Sequence, residues 1–205
     1  LLLGDGAPPD AADLARSELL LDQASNYLAL NLLSEAGAAL DRCEQLYRAA
    51  SQPYELAQCL LFHGLVRCRL EDFAGAQALL IEAERLFAGL DNRLWQNRVA
   101  LALATLEAQS QNIESAVNRL DTLLAQATNP KAASHAPDGW DIISWTEARL
   151  LRLRLHLLGN ELDAARALAA QIERDLQIFS LPQLALWLQH AFGQIEAASG
   201  NWDAA

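Results

Sequence analysis

The chain has 205 residues, 52% of them apolar and 20% charged, and a formal net charge of -11. That is enough apolar material for a folded core, and a strongly acidic chain with Lys131 as its single lysine argues against a nucleic-acid surface, because backbone phosphates are held by lysine and arginine. No apolar run approaches the roughly 18 residues that a membrane span needs, and the opening Leu1-Leu2-Leu3 lacks the basic and apolar regions of a signal peptide.

Residues 1–12 carry Gly4, Gly6, Pro8 and Pro9 and read as a linker. From Asp13 the pattern turns helical, with Leu14, Ser17, Leu21, Ala24 and Leu28 advancing in steps of three and four. A second helix carries Leu33, Ala36, Leu40, Cys43 and Tyr47, and ends before Pro53, whose ring suits the first turn of the next helix. The following pair places Leu56, Leu60, Gly64 and Cys68 on one helix and Phe73, Ala76, Leu80, Ala83 and Phe87 on the other. Gly64 is expected to let two helices approach closely. A third pair runs through Leu94, Ala100, Ala104 and Ala108, then Ile113, Ala116, Leu120 and Leu123. Residues 128–139, with Pro130, Pro137 and Gly139, lose all periodicity and read as an inserted loop. Trp140 to Leu158 and Leu162 to Phe179 form the fourth pair, and a last helix from Pro182 to Ala198 leads to a partner that begins at Trp202.

A large apolar residue followed at +3 by alanine recurs at Leu33/Ala36, Phe73/Ala76, Ile113/Ala116, Leu162/Ala165 and Trp202/Ala205. The alanines are spaced by 40, 40, 49 and 40 residues, a fixed period with one insertion of nine. The chain therefore divides into repeats at 13–52, 53–91, 92–139, 140–180 and 181–205, the last cut short after about one turn of its second helix. With no methionine anywhere, the sequence reads as a piece of a longer protein.

These units resemble tetratricopeptide repeats at the small residue of the first helix (Ala24, Gly64, Ala104, Gly193), the turn anchor and the alanine three later. They depart from that family in a period of 40 rather than 34 and in Leu153 at a small-residue position. The resemblance implies an all-α, right-handed superhelical solenoid of antiparallel helix pairs, whose concave groove binds a peptide, a helix or another domain. The texture is similar to the helical-repeat regions of bacterial CHAT-domain proteins and, more distantly, of LuxR-type ATP-dependent transcription regulators.

Residues one period apart stack along such an array, and one column is polar throughout: Tyr27, Arg67, Glu107, His156 and Glu196. It reads either as a groove-lining ladder in which Arg67 and His156 meet a carboxylate partner, or as rungs paired with one another across repeats, which on a surface contributes about 0 to 1 kcal/mol per pair. Arg149, Arg152 and His156 fall at i, i+3 and i+7 and form a short basic stripe, either a receptor for an acidic peptide or phosphate or a solvated face. Cys59 and His63 stand at i, i+4 without a second pair to complete a metal site and without an orienting group for nucleophilic catalysis, so both read as packed residues. Trp95, Trp145 and Trp187 are expected to pack on the preceding repeat, and Trp140, beside the loop, to be exposed.

No GxSxG, HExxH or GxxxxGK[ST] motif is present. With Cys43, Cys59 and Cys68 forming neither a CxxC pair nor an even framework, reduced thiols in a cytoplasmic protein are expected. The expectation is a non-catalytic scaffold or sensor segment that needs no cofactor and binds a protein or peptide, with dimerisation through the exposed last repeat open to it. The alternative is a regulatory segment that senses a small molecule between repeats.

Overall fold

In the computed structural model, residues 11–127, 136–178 and 181–200 are described. Among them every regular element is an α-helix: α1 (Ala11–Ala29), α2 (Leu33–Ala49), α3 (Pro53–Arg69), α4 (Phe73–Gly89), α5 (Arg93–Gln109), α6 (Ile113–Ala125), α7 (Ile142–Leu158), α8 (Leu162–Ile178) and α9 (Pro182–Ala198). No described helix is long and apolar enough to cross a membrane. Residues 1–10 of the expected linker, most of the inserted loop, and Trp202 and Ala205 of the repeat pattern lie outside the described residues.

The turns explain why the elements begin and end where they do. Left-handed residues recur every 20 positions at Asn31, Ser51, Glu71, Asp91 and Gln111, and again at Asn160 and Gly200. At each non-glycine site two hydrogen bonds close the preceding helix. The amide of Glu71 donates to the Cys68 carbonyl (3.1 Å) and that of Asp72 to the Arg67 carbonyl (3.0 Å), which is the Schellman arrangement. The next residue then starts the following helix: the Asp72 carbonyl accepts from the Ala76 amide (2.9 Å), and its carboxylate from the Gly75 amide (3.0 Å). A helix of 17 residues and a turn of three thus form the underlying unit of 20, and the 40-residue repeat is two of them. The turns inside the hairpins, at Asn31, Glu71, Gln111 and Asn160, and the described three-residue turns between hairpins, at Ser51 and Asp91, are the same.

The chain divides into two compact units, residues 1–106 and 107–205. In the first, α1 packs on α2, α2 on α3 and α3 on α4. Its core includes Ala36, Leu40 and Cys43 of α2, Leu60 of α3, and Ala76, Leu80 and Phe87 of α4, all without solvent exposure. Each leucine or phenylalanine buried in this way contributes about 1.5 to 3 kcal/mol. At Gly64 the approach of α3 to α4 is as close as the sequence predicts, since a Cβ there would stand 2.7 Å from Cγ and Cδ2 of Leu80.

In the second unit α6 packs on α7, α7 on α8, and α9 on both α7 and α8. Leu153 of α7, Ala165, Ala169 and Ile172 of α8, and Leu188, Ala191 and Ile195 of α9 form one buried cluster. Leu153 replaces the small residue of the other first helices, and in the same cluster Ala169 stands where the earlier second helices carry Leu40, Leu80 and Leu120, so that the volume is exchanged.

Candidate functional site

The polar column sits at the last turn of the first helices. Tyr27, Arg67, Glu107 and His156 each supply the backbone carbonyl that accepts the longer Schellman hydrogen bond, from Leu32, Asp72, Asn112 and Glu161 respectively. Their side chains therefore emerge beside a turn, and the group at the start of the next helix is within reach.

Two hairpins use this position to build the same four-residue network. In α3, His63 Nε2 lies 3.7 Å from Asp41 of α2, Arg67 Nε donates to the same ring nitrogen (3.5 Å), and Arg67 Nη1 donates to Asp72 at the start of α4 (3.1 Å). In α7, Arg152 forms a fork on Asp121 of α6 (2.7 and 3.2 Å), stands 3.3 Å from Nδ1 of His156, and His156 meets Glu161 at the start of α8. His63 and Arg152 share a register, as do Arg67 and His156; Asp41 matches Asp121, and Asp72 matches Glu161. The order of histidine and arginine is exchanged while the flanking carboxylates stay. Each network ties a first helix to the helix before it and to the turn after it.

The remaining column members meet groups on their own helix or on a neighbouring one. Tyr27 accepts from Gln23 (2.8 Å), Glu107 of α5 receives three N–H···O contacts of 2.8 to 3.2 Å from Arg119 of α6, and Glu196 of α9 lies 3.7 Å from Arg166 of α8. Arg67 and His156 thus meet the start of the following helix, and Glu107 and Glu196 meet arginines of second helices.

Arg149 departs from the stripe expected with Arg152 and His156. It is only 6% exposed, and its Nη1 donates to Asp175 of α8 at 2.6 Å. Its guanidinium lies over the Trp145 ring (5.0 Å), while Nε and Nη2 have no hydrogen-bond partner. Its register is held by Leu20, Leu60 and Ala100 in the earlier first helices, of which Leu60 is fully buried, and that apolar column was the signal available in the sequence.

A further charged link lay outside the sequence expectations. Arg48 of α2 holds Glu82 of α4 through two hydrogen bonds (2.7 and 2.8 Å) and Glu44 of its own helix through Nε (3.0 Å). The hydrogen bonds from Arg48 hold the Glu82 carboxyl below its usual range. Glu44 reaches on to His63 Nδ1 at 3.3 Å, so the first unit carries one connected chain of polar side chains from Glu82 to Asp72.

The three thiols are buried and unbridged. Cys59 donates to the Leu40 carbonyl (3.5 Å) and its pKa is raised, first by its hydrogen bond to Cys43 and then by burial, while burial alone pushes Cys68 up to about 11. His63 turns its ring to Glu44 and Asp41, so Cys59 and His63 do not form a nucleophile–base pair. Among the described residues no group of three or more His, Cys, Asp or Glu side chains is arranged to hold a metal ion.

Two tryptophan expectations are corrected. Trp140 is 8% exposed because its ring packs edge-on against Trp145 (5.3 Å), and Trp187 is 63% exposed instead of packed on the preceding repeat. Trp95 does pack, stacked on Phe87 at 5.5 Å. No protein-family model matches the chain, and no curated protein matches it.

Proposed function

We propose that the chain is a non-catalytic interaction segment of a bacterial regulatory protein. Its tetratricopeptide-like hairpins continue one right-handed superhelix and recognise a protein or peptide through the polar column of the first helices. The observation that carries this reading is the Arg67–Asp72 pair. Both side chains are 42% exposed and they meet at 3.1 Å, at a register that is polar in every repeat. An exposed ion pair contributes about 0 to 1 kcal/mol, so a carboxylate on a partner can take the place of Asp72 at small cost. Arg149, buried against the Trp145 ring, has a structural role in this reading.

The test is selection of peptides from a displayed library against the intact chain, followed by titration against Arg67→Glu and Glu107→Arg. Selected peptides are expected to be acidic and to bind Arg67→Glu about tenfold or more weakly, with helical circular dichroism unchanged. Peptides that bind the variants as well as the parent, or none selected at all, would overturn the reading.

A further inference from the structure

Two of the three buried thiols of the first unit meet. Cys43 of α2 and Cys59 of α3 have no solvent exposure, and their sulfurs are hydrogen-bonded to each other. Backbone carbonyls hold the pair from both sides. Cys59 Sγ stands 3.5 Å from the Leu40 carbonyl, one turn before Cys43 on α2, and Cys43 Sγ stands 3.2 Å from the Ser17 carbonyl of α1. Helix α2 closes the first hairpin and α3 opens the second, so the sulfurs meet across the joint between two repeats.

Packing alone does not require a thiol at either position. The register of Cys43 is filled by Ala83, Leu123 and Ile172 in the later second helices, and that of Cys59 by Val99, Ala148 and Leu188 in the later first helices. All six are buried, so plain hydrocarbon of several sizes does the same work of filling the core. What the two cysteines add is chemistry. The hydrogen bond between them lowers the pKa of Cys43 against the opposing effect of burial and raises that of Cys59, so Cys43 is the thiol that ionises first and Cys59 keeps its proton. Cys68, further along α3, is shifted by burial alone.

We propose that Cys43 and Cys59 are a redox site, oxidised by hydrogen peroxide to a disulfide that locks α2 to α3. The Cys43 thiolate attacks one peroxide oxygen. The O–O bond breaks, the departing hydroxide takes up the proton that Cys43 released, and Cys43 is left as a sulfenic acid. The Cys59 sulfur then attacks the Cys43 sulfur, the S–O bond breaks, and the hydroxyl leaves with the Cys59 proton. Two thiols and one peroxide thus give one disulfide and two waters, and the two electrons lost by the sulfurs are those the peroxide gains. Peroxide is close to water in size and reaches the pair when the two helices part locally. In the reduced chain the joint is held by packing and by contacts such as Glu44 to His63, which open and re-form; a covalent bond removes that freedom. The polar column takes no part in this site.

The experiment treats the folded, reduced chain with hydrogen peroxide in the absence of denaturant. Its intact mass should fall by about 2 Da, a peptide map should join Cys43 to Cys59 with Cys68 still open to alkylation, and a thiol reductant should restore the starting mass. The oxidised chain should unfold at higher urea than the reduced one. Cys43→Ala and Cys59→Ala should each abolish the bridge. Ala83 and Ala148 hold the same registers with no exposed surface, so alanine at either position is compatible with a folded hairpin. Cys68→Ala should leave the bridge intact. A native chain whose mass stays constant, a bridge that forms only after denaturation, a bridge that uses Cys68, or an oxidised chain less stable than the reduced one would each overturn the proposal.

Discussion

Arg149 and Asp175 hold, in the fourth hairpin, the two registers that Leu60 and Leu86 hold in the second. An ion pair at 2.6 Å with a buried arginine stands where the first two hairpins place two leucines, and the guanidinium keeps two nitrogens without partners. Desolvation of two charges offsets most of their attraction, whereas removing one partner strands the other. Asp175→Leu alone is therefore expected to destabilise the chain by about 3 kcal/mol, toward the low end of the range because the Asp175 side chain is 34% exposed. The double change Arg149→Leu with Asp175→Leu should be neutral or stabilising by about 1 to 4 kcal/mol. Urea unfolding of the three proteins measures both, and a double variant weaker than the single one would refute the account.

The Arg48–Glu82 link gives the first unit a dependence on pH. The carboxyl of Glu82 is lowered in the folded state, so the unfolded chain binds more protons as pH drops below about 4.3. The contribution of the pair is thus present above that pH and is lost as pH falls through the folded value. Both side chains are more than a third exposed, which limits the effect to about 1 kcal/mol or less. At pH 7 the parent should be more stable than Glu82→Gln by that amount. The difference should shrink to nothing in acid, and added salt should reduce it at pH 7. A difference that grows on acidification would reverse the sign.

Glu71 and Gln111 adopt left-handed backbone at φ 61° and 64°, a conformation that costs a side-chain-bearing residue about 1 to 2 kcal/mol. Glycine at either position should therefore stabilise by about 1 kcal/mol, less the extra freedom it gives the unfolded chain. Asn31→Gly should gain less, because asparagine tolerates this region. Valine at position 71 should destabilise, with thermal melts of the four single variants giving the order Gly, parent, Val at that site.

Gly64→Ala sets two effects against each other. Alanine gains about 1 kcal/mol of helix propensity, but its Cβ would meet a Leu80 side chain that has no exposed surface into which to move. Overpacking of this kind costs about 1 to 3 kcal/mol, so net destabilisation is expected. Adding Leu80→Ala should remove the clash and make the Gly64→Ala step favourable. Chemical denaturation of the four members of this cycle reads the coupling directly.

The repeat was legible because its alanines Ala36, Ala76, Ala116 and Ala165 are fully buried and its anchors Leu33, Phe73, Ile113 and Leu162 half-buried in each hairpin. The 20-residue unit beneath it was not, because its marker is a backbone conformation adopted by Asn, Ser, Glu, Asp and Gln, polar residues that recur throughout the chain and set no pattern of their own. The paired networks were half visible. Arg67 and His156 stand in one column, but their carboxylates come from other helices. The inserted loop also makes the distance from His63 to Arg152 longer than that from Asp41 to Asp121, so no single spacing displays the match. The burial of Trp140 depends on a ring five residues later, on the far side of a helix start.

The three-residue turn also governs where the chain tolerates a change of length. Because the last carbonyls of one helix and the first amides of the next are bound through the same residues, as at Arg67, Asp72 and Ala76, each helix is phased to its predecessor. One residue added inside a helix rotates everything after it by about 100°, which would swing an inward-facing stripe out to solvent. The gap from Ala125 to Ile142 is the only connection between described helices longer than three residues, and the nine surplus positions of the sequence fall there. The surplus length thus falls outside the three-residue turns that set this phase.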